Sequence, residues 1–142
     1  MKRMITSLFA VALLVGAGDL QAQEFQVVVN AGSDVASISA DELSKIFQKK
    51  ARKLPSGESA KPVDQDKDAG VREAFSNAVL GRSAGQMESW WQQQIFSGKE
   101  VPPEKKSSDA EVLEYVRANP GAIGYVSAGA ALGSGVKAVT VS

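Results

Sequence analysis

Asp64, Asp66 and Asp68 put three carboxylates on alternate residues, with Lys67 among them and Arg72 just beyond. Alternating carboxylates can gather around calcium or magnesium, hard cations that take oxygen ligands. Counted from Asp64, however, the sixth position is Ala69 and the twelfth is Phe75. A calcium loop of the helix-loop-helix type needs a glycine at the first of these and a chelating carboxylate at the second. The run therefore reads as a solvated loop leading into a helix, and no metal or cofactor is expected.

The remaining chemistry is narrow because the chain has no Cys and no His. Disulfides, thiolate nucleophiles, imidazole bases and most zinc or copper sites are excluded together. Ser, Lys and carboxylates remain as a conceivable nucleophile and base, but no residue is assigned a catalytic role. Gly133-Ser-Gly135 is too short and too late in the chain for a phosphate loop. The basic cluster Lys49, Lys50, Arg52 and Lys53 reads as solvated surface. Trp90 and Trp91 line a core or a groove; being adjacent, they point about 100° apart on a helix.

The first residues set the location. Met1-Lys2-Arg3 precedes an apolar run from Met4 to Gly16, and Ala22 offers a small residue for cleavage. This is the order of a secretory signal peptide, and the apolar run is well short of the roughly 20 residues that cross a bilayer. The competing reading is an uncleaved anchor. The expectation is a leader over residues 1–22, a periplasmic product and no membrane span after cleavage. Residues 23–142 are then about 120, the size of one domain with one core. Without Lys2, Arg3 and Asp19 the product carries 14 basic and 15 acidic residues, a balance that points to neither a nucleic-acid nor an anionic-membrane partner.

Strands and helices alternate along the rest of the chain. Phe25 to Asn30 is β-branched and stops at Ala31-Gly-Ser-Asp34, a strand and its turn. Ser39 and Glu42 form a capping box for a helix ending near Gln48, with Leu43, Ile46 and Phe47 on one face. Lys49 to Lys61, with Pro55 and Gly57, is an exposed connection or hairpin, after which Pro62-Val63 begins a short strand. Asp68 caps a helix through Val71, Phe75 and Val79 that ends at Gly81, and Ser83 with Gln86 caps another carrying Met87, Trp90, Trp91 and Ile95. Gly98 to Ser107 is a loop. Ser108 and Glu111 open a helix that stops before Asn119, and Ala122–Val126 and Val136–Val141 are strands. Such alternation predicts an α/β layer architecture.

Asn119-Pro-Gly-Ala-Ile-Gly-Tyr-Val126 resembles a motif of the phosphate-binding proteins of bacterial ABC importers and their relatives. Val27-Val-Val-Asn30, Ser39 to Phe47, Arg72-Glu-Ala-Phe75, Trp91 and Phe96-Ser-Gly98 continue the likeness in order, over roughly Phe25 to Leu132. The resemblance implies a mixed sheet flanked by helices, as in one lobe of a periplasmic-binding-protein fold. It also implies a two-lobed protein that closes on an anion, whereas this chain is similar to one lobe only. Closure needs both lobes, because shutting out water is what strengthens buried anion hydrogen bonds.

The family's phosphate loop places Arg and Asp shortly before Ser-Gly-Thr. Aligned on Phe75, the corresponding positions are Gln65, Lys67 and Ala69-Gly70-Val71, with Arg72 next. The hydroxyls, the Arg and the Asp are replaced, while helix-start amides around Gly70 and the cations Lys67 and Arg72 still favour an anion. Against this, Asp64, Asp66 and Asp68 repel one. In the alternative reading Asp68 caps the helix and Arg72 pairs with a carboxylate.

Two functions follow. The first is a periplasmic solute-binding-like domain, not an enzyme, that takes phosphate or another small oxyanion through Gln65, Lys67, Ala69, Gly70, Val71 and Arg72, as part of phosphate transport. The second is a protein-interaction or sensory domain that has lost phosphate binding and docks on a transporter or sensor protein, with the Trp90/Trp91 region as one candidate surface. The missing half of a site would come from a second copy or a separate lobe.

Overall fold

In the computed structural model, which describes residues 24–142, Val27, Val28 and Val29 are all buried. Successive strand residues face opposite sides, so the strand that carries them, β1 (Phe25–Asn30), must be covered on both faces. The run read as a signal peptide lies outside the described residues.

β1 lies near the middle of a six-stranded mixed sheet. It pairs antiparallel with β5 (Ala122–Ser127) and with β6 (Val136–Val141). β5 pairs parallel with β3 (Lys61–Gln65), and β3 parallel with the edge strand β4 (Glu104–Lys106). On the other side β6 pairs parallel with β2 (Ser37–Ile38). The order is β2-β6-β1-β5-β3-β4, and β1 runs against the other five.

One face of the sheet presents Phe25, Val27, Val29, Ile123 and Tyr125 to helices α1 (Ala40–Phe47) and α2 (Gly70–Phe75). Aromatic rings knit this layer: Phe75 stacks on Tyr125 with centroids 3.9 Å apart and planes 5° apart, and Phe47 and Phe25 close around Phe75 at 4.8 and 5.4 Å. The opposite face presents Val28, Ala122 and Val126 to Val112, Leu113 and Val116 of α4 (Asp109–Ala118). The remaining helix, α3 (Ala84–Phe96), buries Met87 and Trp91.

Local chemistry sets the helix ends. Ser39 and Ser83 accept from the amides of Glu42 and Gln86, and the Gln86 side chain completes a capping box by accepting from the Ser83 amide. At α4, Ser108 accepts from the Glu111 amide, but the Glu111 carboxylate reaches one residue further back, to the amide and hydroxyl of Ser107.

Three expectations need correction. Asp68 does not cap α2: the N-cap is Ala69, with no side-chain bond to the helix start. The helical stretch is not uniformly α, for after Phe75 it widens into a π-turn, Ser76–Leu80, before Gly81 ends it in the left-handed region at φ 68°. The segment from Gly98 to Ser107 is not all loop, because Glu104–Lys106 pairs with β3. Glu-Lys-Lys has no apolar alternation to announce a strand, but charged residues suit an edge that must discourage further pairing.

Candidate functional site

In open α/β sheets ligands bind outside the carboxyl ends of the parallel strands, where helix starts also present amides. Here β3, β4 and β5 are parallel, and α2 and α4 begin just beyond the ends of β3 and β4. The sequence-predicted residues Gln65, Lys67, Ala69, Gly70, Val71 and Arg72 therefore fall at the end of the sheet where such a site belongs. They do not converge on one point.

Arg72 is turned inward and fully buried. Its Nη1 donates to the Gln65 carbonyl at 2.7 Å, Nη2 reaches Glu88 Oε1 at 3.4 Å, and Nε lies 3.3 Å from Asp64 Oδ1, where it makes no aligned hydrogen bond. Asp64 is buried too, contrary to its reading as part of a solvated loop: it sits on β3 and its Oδ1 accepts from the Tyr125 hydroxyl and the Gln65 amide. Burial pushes the Asp64 carboxyl above its usual range, against the opposing pull of the Arg72 charge and the Tyr125 bond. The same burial, reinforced by the Asp64 charge, raises the Tyr125 phenol, which stays protonated as a donor.

Gln65 is likewise turned inward. Its Nε2 donates to Asp109 Oδ1 at 2.9 Å and to the Tyr125 carbonyl at 3.0 Å, while Asp109 Oδ1 also accepts from the Ser127 amide at 3.2 Å. Asp109, at the start of α4, thus supplies a carboxylate of the chain's own to donors at the strand ends. Glu88 Oε1 binds Lys105 Nζ at 2.6 Å as well as Arg72. Desolvation works to raise the Glu88 carboxyl, but the bond and charge of Lys105, with Arg72, outweigh it and hold it below the usual range.

What stays accessible is small. Lys67 and Gly70 are exposed, and Val71 packs its side chain against the core. The Gly70 and Val71 amides have no acceptor among the described residues. They border an open hollow of about 670 Å³ between Glu24 and Ser127 on one side and Glu73 and Asn77 on the other. Exposed Glu24 and Glu73 are the charged side chains that line it. Glu73 is also structural, accepting from the Ala84 amide and the Asn77 side chain at 2.9 Å each.

Asp109, Glu88 and Lys105 were not identified from sequence as part of this constellation. Asp109 sits in a helical first turn, where a carboxylate is ordinary, Glu88 lies in the second turn of α3, and Lys105 sits in a segment read as loop, so nothing in their spacing marked them. Two spacings that resemble nucleophile motifs, Gly81-Arg-Ser-Ala-Gly85 and Ser134-Gly-Val-Lys137, do not assemble. Ser83 caps α3 after a π-turn rather than standing on a strand-to-helix elbow, and Lys137 Nζ donates to the Ser33 carbonyl.

The octapeptide Asn119 to Val126 works through packing. A Cβ on Gly124 would lie 2.6 Å from Val63 Cγ1 and 2.9 Å from Val112 Cγ1, so only glycine lets α4 and β3 approach β5 this closely. Gly121, at φ 84°, donates no side chain where Ser59 O would be 2.3 Å from a Cβ. The Asn119 side chain donates to the Tyr115 carbonyl at the end of α4.

No curated protein matches the sequence significantly. Among solved structures the chain is similar to an ABC-type phosphate transport receptor from Vibrio cholerae (18% identity, TM-score 0.64), covering 83% of this chain and 46% of that one. A putative phosphate ABC transporter substrate-binding protein with bound phosphate from Clostridium perfringens (18%, 0.65) is covered over 44% of its length by 83% of this chain. A possible phosphate binding protein from Planctomyces limnophilus DSM 3776 (21%, 0.61) is covered over 41% by 84% of this chain. The chain thus spans less than half the length of the structures whose fold it shares, as one lobe of a two-lobed protein would. Residues 16–141 match the family model described as PBP superfamily domain, and the chain belongs to that family.

Proposed function

We infer that the chain is an exported, periplasmic recognition module of the solute-binding type that docks on another protein and no longer captures phosphate. The observation that carries this reading is the position of Arg72. Its guanidinium is buried and committed to Gln65, Asp64 and Glu88, so it cannot be offered to a ligand without stranding the buried Asp64 carboxylate. Asp109 already takes the Gln65 side chain and the Ser127 amide. The hollow at the strand ends is open and bordered by exposed carboxylates, which suits a basic protein surface better than a free oxyanion. No catalytic role is assigned to any residue.

A second reading keeps the oxyanion. It is favoured by the unpartnered amides of Gly70 and Val71 beside exposed Lys67, which would hold an anion from outside if a second lobe, from a separate protein or a second copy, covered the hollow. Isothermal titration of the mature protein with phosphate and sulfate at low ionic strength separates the two. The interaction reading expects no heat, together with a discrete crosslinked adduct in the native host from a photoreactive group at Asn77, lost in Glu24→Lys. Saturable phosphate heat that disappears in Lys67→Glu, with no such adduct, overturns it.

A further inference from the structure

The three large apolar side chains that stand exposed among the described residues, Ile95, Phe96 and Val101, fall at one place, the end of α3 and the loop that follows. Phe96 is 96% exposed, as if no protein surrounded it. Burying a phenyl ring is among the larger gains available to a folding chain, so a ring left wholly in water marks a contact made elsewhere.

The basic segment after α1 is seated against this same place. Arg52 Nη2 meets Glu100 Oε2 at 2.6 Å, and Lys50 Nζ stands 5.8 Å over the Trp90 ring. The chain turns there through Lys49, which ends α1 with φ 57°. Lys49, Lys50, Lys53 and Lys99 make no ion pair among the described residues. The nearby acids are already engaged: Glu100 by Arg52, Glu104 by Lys106, and Glu88 by Lys105 and Arg72. Gln92, Gln93 and Gln94 of the same helix add polar but uncharged surface.

We propose that this surface docks the protein peripherally on an anionic lipid bilayer, with Phe96, Ile95 and Val101 entering the headgroup region and Lys49, Lys50, Lys53 and Lys99 meeting lipid phosphates. The chemistry is that of an interfacial anchor, exposed apolar side chains on an element against which a basic segment is seated. A protruding ring suits a fluid interface, which needs no preformed pocket. The near-neutral charge of the whole chain conceals the patch because exposed acids gather elsewhere, at Glu24, Asp66, Asp68 and Glu73. Among the described residues no helix is long and apolar enough to cross a membrane, so the contact is peripheral. The surface shares no residue with the hollow at Gly70.

The test is flotation of the mature protein with vesicles of phosphatidylglycerol mixed with phosphatidylcholine, against vesicles of phosphatidylcholine alone. The expected result is salt-sensitive binding to the anionic vesicles only. Charge reversal in Lys50→Glu/Lys53→Glu should weaken it by at least about tenfold, since each cation near an anionic surface contributes several-fold. Phe96→Ser should weaken it while leaving the melting temperature unchanged. Lack of flotation with either vesicle, equal flotation with both, or binding indifferent to these substitutions overturns the proposal; the first of these would turn attention to an acidic protein partner.

Discussion

Arg72 and Asp64 face each other 3.3 Å apart in the interior, with side chains 1% and 4% exposed. Sequence leaves Arg72 free to be either a ligand to an anion or the partner of a carboxylate, and in the structure it lies against Asp64 and Glu88. Taking two charges out of water is tolerable only while they compensate each other. Arg72→Met should therefore destabilise the fold by about 3–5 kcal/mol, because it strands a buried carboxylate. Adding Asp64→Asn to Arg72→Met should recover part of the loss. Urea denaturation of the two single variants and the double variant checks both statements. A near-neutral Arg72→Met would mean that the guanidinium is not needed inside.

Glu88 links α3 to the sheet through Arg72 and Lys105, and its carboxyl is held below the usual carboxylate range. A carboxylate whose folded pKa is depressed adds stability that is present above its unfolded pKa and lost as pH falls through the folded one. Asp64 acts in the opposite sense. Its raised pKa makes the folded state bind a proton more readily than the unfolded chain does, and its contribution falls as pH rises through the folded pKa. Glu88→Gln should thus flatten the loss of stability as pH falls below the usual carboxylate range, compared with the native protein, in melting curves taken across the acid range. An unchanged acid limb would show that the Lys105 bond is absent in solution.

The close approaches at Gly121 and Gly124 make a third prediction. A methyl at Gly124 must push apart Val63 and Val112, which belong to β3 and α4, and overpacking of this kind costs roughly 1–3 kcal/mol. At Gly121 the obstacle is the Ser59 backbone and the φ is already left-handed, so Gly121→Ala should be the more damaging of the two. Thermal melts ranking Gly121→Ala below Gly124→Ala, and both below the native protein, would agree. The reverse order would place the tighter constraint on the sheet face.

This bears on what was legible in the sequence. The strands that carry the core announce themselves, as Val27-Val-Val29 and Val136–Val141 do, because burial selects β-branched residues. Helix starts at Ser39, Ser83 and Ser108 were legible from capping chemistry, which is local. β4 was not, since Glu104-Lys-Lys106 pairs through its backbone and its side chains record only that it lies at an edge. The candidate site was least legible. Family likeness brought Gln65 and Arg72 to the carboxyl end of the parallel strands, but the direction of each side chain depends on Asp64, Glu88, Tyr125 and Asp109, partners up to 60 positions distant. The octapeptide ending at Val126 was the strongest mark of family, and its glycines answer to packing rather than to a ligand. It could therefore identify the fold while leaving the ligand open.

Lys49 offers a prediction that separates local strain from surface chemistry. Helix α1 ends there with Lys50 and Ala51 amides donating to the Lys45 carbonyl and the Lys49 amide to Ile46, a wrapped end whose turning residue is left-handed at φ 57°. Such a position ordinarily takes glycine, since a Cβ in that conformation costs about 1 kcal/mol or somewhat more. Lys49→Gly should raise stability by roughly 0.5–1 kcal/mol, partly offset by the greater freedom of glycine in the unfolded chain. The same substitution removes one of four unpaired cations, so it should modestly weaken binding to anionic vesicles while stabilising the fold. Those opposite movements, read by denaturation and by flotation, would show lysine kept at a strained turn for its charge. A loss of stability in Lys49→Gly would instead make its side chain part of the helix end.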